Sequence, residues 1–167
     1  MSKGCREDVL RIILILDVLL VVTNIIGWVI TLLYYYYVYT LGVNPPLCYA
    51  KIGELVVNCA KVARAPESKI LNIRIDNHVI SIPVALIAVV WFTTKAILSI
   101  YYILGWRRVL DAILYLSGLG LALIPYLIWI ELFEVHALCT YCTFLQIFIA
   151  VTFIVALELK LMYRRVS

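Results

Sequence analysis

The chain has 167 residues, of which 65% are hydrophobic and only 14% are charged, and its mean hydropathy is +1.05. A water-soluble domain of this length has too little interior for so many apolar side chains, so the composition excludes a soluble monomer. The formal net charge of +4 is spread over the flanks and one loop, which argues against a basic stripe for nucleic acid. We expect a single membrane domain over residues 1–167.

Four apolar runs are long enough to cross a hydrocarbon core, which needs about 20 helical residues. They lie at about 12–37, 80–104, 109–130 and 137–162. The predicted fold class is therefore all-α, an integral membrane four-helix bundle. The first run is too long for a removable signal peptide and has no small-residue cleavage site.

Basic residues in the flanks predict the direction of the spans, because Lys and Arg in short flanks stay on the cytoplasmic side during insertion. Three flanks are basic, and they contain Lys3, Arg6, Arg11, Arg107, Arg108, Lys160, Arg164 and Arg165. The short connection at 131–136 has no Lys or Arg. We expect a multi-pass protein of the cell membrane with both termini cytoplasmic and the long loop, residues 41–79, extracytoplasmic.

Several residues within the spans are notable. The tyrosines at 34–37 and 39 end the first span, and we predict that they form an interfacial belt rather than a ligand site. Gly118 and Gly120 predict close packing of the third span. Asp17 and Lys95 are charges at membrane depth, where such residues are candidates for function, but neither is assigned to the site.

The long loop is predicted to contain a short helix and a β-hairpin. Asn-Pro-Pro at 44–46 is typical of a helix start, and Ala-Pro at 65–66 marks the latest end of that helix. Farther on, apolar residues alternate with polar ones over 71–75, and Asp-Asn at 76–77 tolerates the left-handed turn of a hairpin. The chain after this turn would return as a strand or lead into the second span.

Four of the five cysteines fall on the predicted outer side. Cys48 and Cys59 lie in the long loop, while Cys139 and Cys142 form a Cys-Thr-Tyr-Cys motif that opens the fourth span. Cys5 is predicted to be an inert cytoplasmic thiol. Outside the cytoplasm disulfides persist. A Cys-x-x-Cys at a helix N-terminus is typical of redox proteins, because the helix dipole and free N–H groups stabilise the thiolate that performs disulfide exchange.

The spacing of the loop pair leaves two arrangements open. In one unbroken helix Cys48 and Cys59 would be about 16 Å apart, whereas a disulfide needs Cα atoms within about 7 Å. Either the helix breaks between them, or one cysteine reaches toward Cys139 and Cys142 while the other faces a partner. A mobile loop that did both in turn would relay electrons from an external dithiol to the membrane pair. Since the sequence has no nucleotide, haem or flavin motif, a lipid-soluble quinone is the remaining acceptor.

The order of these features resembles the vitamin K epoxide reductase (VKOR) family. The resemblance rests on four spans, a loop cysteine pair after the first, Ile-Pro-Val-Ala-Leu at 82–86, and the Cys-Thr-Tyr-Cys motif, and it covers nearly the whole chain. It implies reduction of a quinone, menaquinone, ubiquinone or a relative, coupled to disulfide formation in a separate thioredoxin-like protein of the DsbA or PDI type. We expect a prokaryotic-type homologue without a fused partner domain.

The resemblance also implies roles for single residues. Cys48 would exchange with the partner, Cys59 would pass electrons to Cys139, and Cys142 would meet the quinone. Asn77 stands near the place of an asparagine that helps to bind quinone in animal members of the family.

The chain departs from the family pattern at other positions near the quinone. Gln146 stands where some members have Tyr, and it is a further candidate for quinone binding. Ala65 stands where members often have Ser or Thr, and Ser68 is the nearest hydroxyl. These departures argue against vitamin K epoxide itself as the substrate.

Two other functions remain open. A non-enzymatic membrane protein could use the cysteines as two structural disulfides or a four-cysteine metal site, since Cys-x-x-Cys also suits zinc. A DsbB-type oxidase would perform equivalent chemistry, but in that family Cys-x-x-Cys is in the first outer loop, the reverse of the order here. Glu131, Glu134 and His136 border the reactive pair and could handle protons, although we predict that they are exposed connecting residues.

Overall fold

The computed structural model describes residues 3–52, 55–75 and 78–166. The first long helix is α1 (Lys3–Tyr35), which continues as a π-helical turn (Tyr36–Thr40). The next elements are β1 (Ala50–Ile52), β2 (Leu55–Val57), α2 (Cys59–Arg64), a 3-10 turn (Pro66–Ser68), β3 (Lys69–Ile75) and β4 (His78–Pro83). They are followed by α3 (Val84–Ile103), α4 (Val109–Trp129) with a π-helical turn (Ile130–Glu134), β5 (Ala137–Leu138) and α5 (Thr140–Val166).

Four helical stretches are long and apolar enough to cross a membrane, namely Val9–Thr40, Val84–Ile103, Val109–Glu134 and Thr140–Arg164. They confirm the predicted all-α membrane bundle. The second begins at Val84 rather than at residue 80, because residues 78–83 pair as a strand. The first begins at Val9 rather than at residue 12, and π-helical turns carry the first to Thr40 and the third to Glu134, beyond the predicted ends at residues 37 and 130.

The four long helices pack in a ring, in which α1 contacts α3 and α5, and α4 contacts α3 and α5. A Cβ atom added to Gly120 would lie 3.0 Å from Cγ2 of Ile149, and one added to Gly118 would lie 3.3 Å from Cε2 of Phe153. A side chain at either position would crowd Ile149 or Phe153 of α5, which would have to shift to make room. The prediction that the two glycines allow close packing is therefore confirmed.

The two charges at membrane depth have different surroundings. Asp17 accepts a hydrogen bond from the Tyr102 hydroxyl and a second from the Tyr163 hydroxyl, at 3.2 Å to Oδ2. This group lies beside the α3–α4 turn, at the end of the bundle away from the long loop. Lys95 is fully buried, and its ammonium group has no hydrogen-bond partner among the described residues.

The predicted hairpin is present, but the predicted loop helix is much shorter than expected. Strands β3 and β4 pair antiparallel, with Ile75 opposite His78, while the turn residues 76–77 lie outside the described residues. The expectation of a helix that starts after residues 44–46 is wrong. Residues 50–52 and 55–57 form β1 and β2 instead, and β2 also pairs with β5.

Helix α2 starts where two asparagines satisfy its first N–H groups. The side chain of Asn58 accepts from the N–H of Lys61 at 2.9 Å, and that of Asn44 accepts from the N–H of Ala60 at 2.7 Å. Asn44 thus caps a helix that begins far along the chain from it. The helix ends at Arg64, before the predicted limit at Ala65.

Candidate functional site

The two loop cysteines form a disulfide. The Cα atoms of Cys48 and Cys59 are 5.6 Å apart, because the chain folds back through β1 and β2 instead of continuing as a helix. The spacing left two arrangements open. The structure has the one in which no continuous helix joins Cys48 to Cys59 and the two cysteines bond to each other. Both cysteines are completely buried.

Cys139 and Cys142 are free thiols at the start of α5. The backbone N–H of Cys142 donates a hydrogen bond to Sγ of Cys139 at 3.2 Å, and the N–H of Thr143 donates to the carbonyl oxygen of Cys139 at 3.0 Å. Cys139 therefore occupies the capping position of the helix. A backbone N–H at a helix N-terminus is a favourable donor to a sulfur atom that carries negative charge.

The structure brings all four of these cysteines to one end of the bundle. Cys48, Cys59 and Cys139 belong to one buried cluster, and Cys142 packs against it. The parallel pairing of β2 with β5 holds them there, since Val57 lies opposite Leu138, the residue before Cys139. The N–H of Asn58, next to Cys59, also donates to the carbonyl oxygen of Leu138 at 3.0 Å.

A cavity of about 120 Å³ lies below the cysteines and is lined by residues of all four long helices and of the long loop. Its polar lining residues include Cys142, Gln146, Ser68 and Tyr34, while the rest of the wall is mostly aliphatic or aromatic. A mostly apolar cavity with a few convergent polar groups is typical of small-molecule binding sites. Two of the three predicted quinone-binding residues, Cys142 and Gln146, thus line one cavity; the third, Asn77, lies outside the described residues.

Ser68 is the hydroxyl that the loop offers to this cavity. It is buried, and its Oγ donates a hydrogen bond to the carbonyl oxygen of Val62. Ala65, the position at which the family often has Ser or Thr, lies at the end of α2. The 3-10 turn after it carries Ser68 back toward the cavity.

Glu131 belongs to the site, although the sequence did not predict it there. The prediction that it is an exposed connecting residue is wrong, since the side chain is only 6% exposed and lines the cavity. Its Oε2 accepts a hydrogen bond from the N–H of Cys139 at 3.2 Å. The helix continues to Glu134 as a π-helical turn, which keeps Glu131 inside the bundle. Glu134 and His136 are exposed, as predicted.

Tyr34 is the second residue that lies in the site although the sequence did not predict it there. Its side chain is buried, its hydroxyl donates to the carbonyl oxygen of Cys59 at 3.3 Å, and its ring stacks on Tyr141 at 5.8 Å. The prediction of an interfacial belt is therefore wrong for Tyr34. Tyr36 is exposed and remains compatible with a belt.

The loop disulfide is closed off from the surroundings in this conformation. Cys48 has no exposed surface, whereas its neighbours Leu47 and Tyr49 are 71% and 73% exposed. Leu47 has a φ angle of 68°, a left-handed conformation that is unfavourable for a residue with a Cβ atom. An external dithiol can reach Cys48 only after the segment around Leu47 has moved.

No group of three or more His, Cys, Asp or Glu side chains within the described part of the chain is arranged to hold a metal ion. The sulfur atoms of Cys48 and Cys59 are bonded to each other. The chemistry available to the four cysteines in this arrangement is disulfide exchange between the loop pair and the membrane pair.

Residues 18–157 match the vitamin K epoxide reductase family. The matched segment includes Cys48, Cys59, Cys139 and Cys142. No curated protein matches the chain.

Proposed function

Because this chain belongs to the vitamin K epoxide reductase family, and is thus a membrane oxidoreductase, we propose that it is a thiol oxidase that reduces quinone. It forms disulfides in a separate thioredoxin-like partner of the DsbA or PDI type, and it passes the electrons to menaquinone, ubiquinone or a related quinone. The redox cysteines lie on the extracytoplasmic side of the cell membrane, and both termini lie in the cytoplasm.

One observation carries this proposal: a buried loop disulfide and a free Cys-x-x-Cys pair belong to one cluster directly above an apolar cavity. The loop pair is oxidised and the membrane pair is reduced. In the proposed cycle, this combination would follow the transfer of electrons from the loop pair to the membrane pair. Structural disulfides alone would leave the free pair and its cavity without a role.

Electrons pass through the protein in three steps, two thiol–disulfide exchanges and one reduction of quinone. The two thiols of the partner reduce the Cys48–Cys59 disulfide, so that one S–S bond forms in the partner and one breaks in the loop. The loop thiols, with Cys59 attacking Cys139, then reduce a Cys139–Cys142 disulfide and become a disulfide again. The membrane thiols finally return to a disulfide as two electrons and two protons leave for the quinone.

The cavity residues position the ligand. The aliphatic and aromatic wall excludes water, and Cys142 presents its sulfur to the space in which the ring would lie. Gln146, which lines the cavity, would donate a hydrogen bond from its side-chain amide to a bound quinone, and Asn77 is the second proposed donor. A bound quinone supplies the two-electron acceptor that the protein's own side chains lack.

The experiment that tests the proposal follows quinone absorbance with the purified protein in detergent, a reduced thioredoxin-like protein as donor, and short-chain analogues of menaquinone and ubiquinone. Native protein should consume quinone and oxidise the donor in equal amounts. The Cys139→Ser and Cys142→Ser variants should each lose this turnover, whereas Cys5→Ser should keep it. Folded native protein that consumes neither quinone would overturn the proposal and favour the structural reading of the cysteines.

A further inference from the structure

We propose that Glu131 is the group that moves protons between the Cys139–Cys142 thiols and the ligand in the cavity, an inference that rests on the proposed function. The side chain is placed for this role by the π-helical turn Ile130–Glu134. It lies in the cavity wall together with Cys142, and it contacts the backbone of Cys139.

The burial of Glu131 is itself an argument for function. A carboxylate removed from water is costly unless it is paired and hydrogen-bonded. Among the described residues that line the cavity there is no Lys, Arg or His, and the hydrogen bond found for the carboxylate comes from the N–H of Cys139 at 3.2 Å. An apolar residue would fill this position at lower cost, so a carboxyl group here indicates chemistry rather than stability.

The groups that face Glu131 are those that a proton carrier needs. From α1 the titratable group is Tyr34, and from the start of α5 it is the thiol of Cys142, both of which line the cavity. Cys139 contacts Glu131 through its backbone N–H. The neighbouring loop contributes Ser68, whose hydroxyl group is not an acid or base near neutral pH. The exposed residues Glu134 and His136 of the same connection do not line this cavity.

The proton balance follows from the thiol oxidation. When Cys139 and Cys142 form their S–S bond, two S–H bonds break, and two electrons and two protons must reach the quinone oxygens. The Glu131 carboxylate accepts a proton from a thiol, delivers it to a ring oxygen, and repeats the transfer for the second proton. It ends the turnover in the form in which it began, so no further acid or base is required.

A structural role for Glu131 makes a different prediction. If the side chain only accepts the hydrogen bond from Cys139, then Glu131→Gln, whose amide oxygen accepts the same bond, should behave as the native protein does. If Glu131 carries protons, Glu131→Gln should slow the oxidation of the Cys139–Cys142 thiols by quinone about 100-fold or more, the usual effect of losing a general acid–base group. Glu131→Asp, which keeps a carboxyl group, should retain part of the rate.

The rate is best measured in a single turnover with pre-reduced protein, so that the partner is not involved. Glu134→Gln is the matched control, since it removes an exposed carboxyl group from the same π-helical turn, and it should keep the native rate. The reduction of the Cys48–Cys59 disulfide by a small dithiol, measured separately, should be unchanged in Glu131→Gln. A Glu131→Gln protein that oxidises its thiols at the native rate would overturn the inference while leaving the proposed function intact.

A second measurement requires no quinone. In a Cys139→Ser background, the rate at which iodoacetamide alkylates Cys142 should rise with pH in two steps, because Cys142 and Glu131 share one cavity wall and the proposal requires proton exchange between their side chains. Adding Glu131→Gln should leave one step, whereas adding Glu134→Gln should leave two. One step in both proteins would overturn the inference. Native protein whose thiols are not oxidised by any quinone would instead overturn the proposed function, and this inference with it.

Discussion

The hydroxyl of Thr140 donates a hydrogen bond to the carbonyl oxygen of Leu47 at 3.2 Å. These residues are direct neighbours of Cys139 and Cys48, so the bond links the Cys-x-x-Cys motif to the loop disulfide by side chain as well as by the β2–β5 pairing. The segment that covers Cys48 is thus tied to the helix that carries the membrane pair. A partner can reach Cys48 only after the hydrogen bond between Thr140 and Leu47 has broken.

Removing the hydrogen bond between Thr140 and Leu47 should make the Cys48–Cys59 disulfide easier to reduce. Thr140→Val keeps the size of the side chain and loses the hydrogen bond, which is worth about 1 kcal/mol. We expect the Cys48–Cys59 bond to be reduced by a small dithiol about five times faster, as measured by thiol labelling and mass spectrometry. Thr143→Val removes a hydroxyl that bonds to the carbonyl oxygen of Cys139 within the same helix, and an equal acceleration there would contradict this explanation.

The left-handed backbone at Leu47 should cost stability. Leu47→Gly removes the Cβ atom that makes a φ of 68° unfavourable, while the exposed leucine side chain contributes little burial. We expect the free energy of unfolding to increase by about 1 kcal/mol, measured by thermal or denaturant unfolding in detergent. Leu47→Ala keeps a Cβ atom and should show no such gain; equal stabilisation in both variants would show that the backbone angle is not the cause.

The different roles proposed for Cys48 and Cys59 predict that their serine variants trap two different disulfides. In Cys59→Ser, the remaining Cys48 thiol should attack the disulfide of an oxidised thioredoxin-like partner, which forms a mixed disulfide and releases one partner thiol. In Cys48→Ser, after quinone has oxidised the membrane pair, the remaining Cys59 thiol should instead attack the Cys139–Cys142 disulfide, bond to Cys139, which shares its buried cluster, and release the Cys142 thiol. Non-reducing gels and peptide mapping distinguish an intermolecular species from an internal one. If neither variant traps a disulfide, the relay through the loop is wrong.

The cap of α2 should contribute to the stability of the loop that holds Cys59. Asn58→Ala removes the acceptor for the N–H of Lys61 and should lower the free energy of unfolding by about 1 kcal/mol. Asn58→Asp keeps an acceptor and should restore most of the loss. Unfolding in detergent under oxidising conditions measures both. Equal losses in the two variants would indicate that the amide group, rather than the cap, matters at this position.

Lys95 should destabilise the bundle. Its ammonium group is buried without a hydrogen-bond partner among the described residues, and it lies 5.4 Å from the centre of the Phe92 ring. Lys95→Met fills a similar volume without a buried cation, so we expect the free energy of unfolding to rise by at least about 1 kcal/mol.

The control for this substitution is a lysine with a partner at the protein surface. Lys160 forms an ion pair with Asp111 at 2.7 Å. Lys160→Met should change the free energy of unfolding by less than about 1 kcal/mol, because exposed ion pairs contribute little. A loss of stability in Lys95→Met would show that the buried ammonium group has a partner or role that outweighs its desolvation.

The sequence by itself determined the membrane bundle, the hairpin of β3 and β4, and the four cysteines that the structure brings together. Apolar runs of about 20 residues, alternation of polar and apolar residues, and a Cys-x-x-Cys before an apolar helix are local patterns, and each depends on residues close together in the chain. The predicted four spans and the family resemblance were confirmed for this reason.

Only the tertiary structure decided how the site is built. The sequence contains no sign that β2 pairs with β5, that Asn44 caps a distant helix, or that Tyr34 turns inward onto Cys59. Glu131 looked like an exposed connecting residue because a π-helical turn cannot be recognised from local composition. Each of these features depends on contacts between residues far apart in the chain, whose free energy overrides local preference and is set by the packing of the whole bundle.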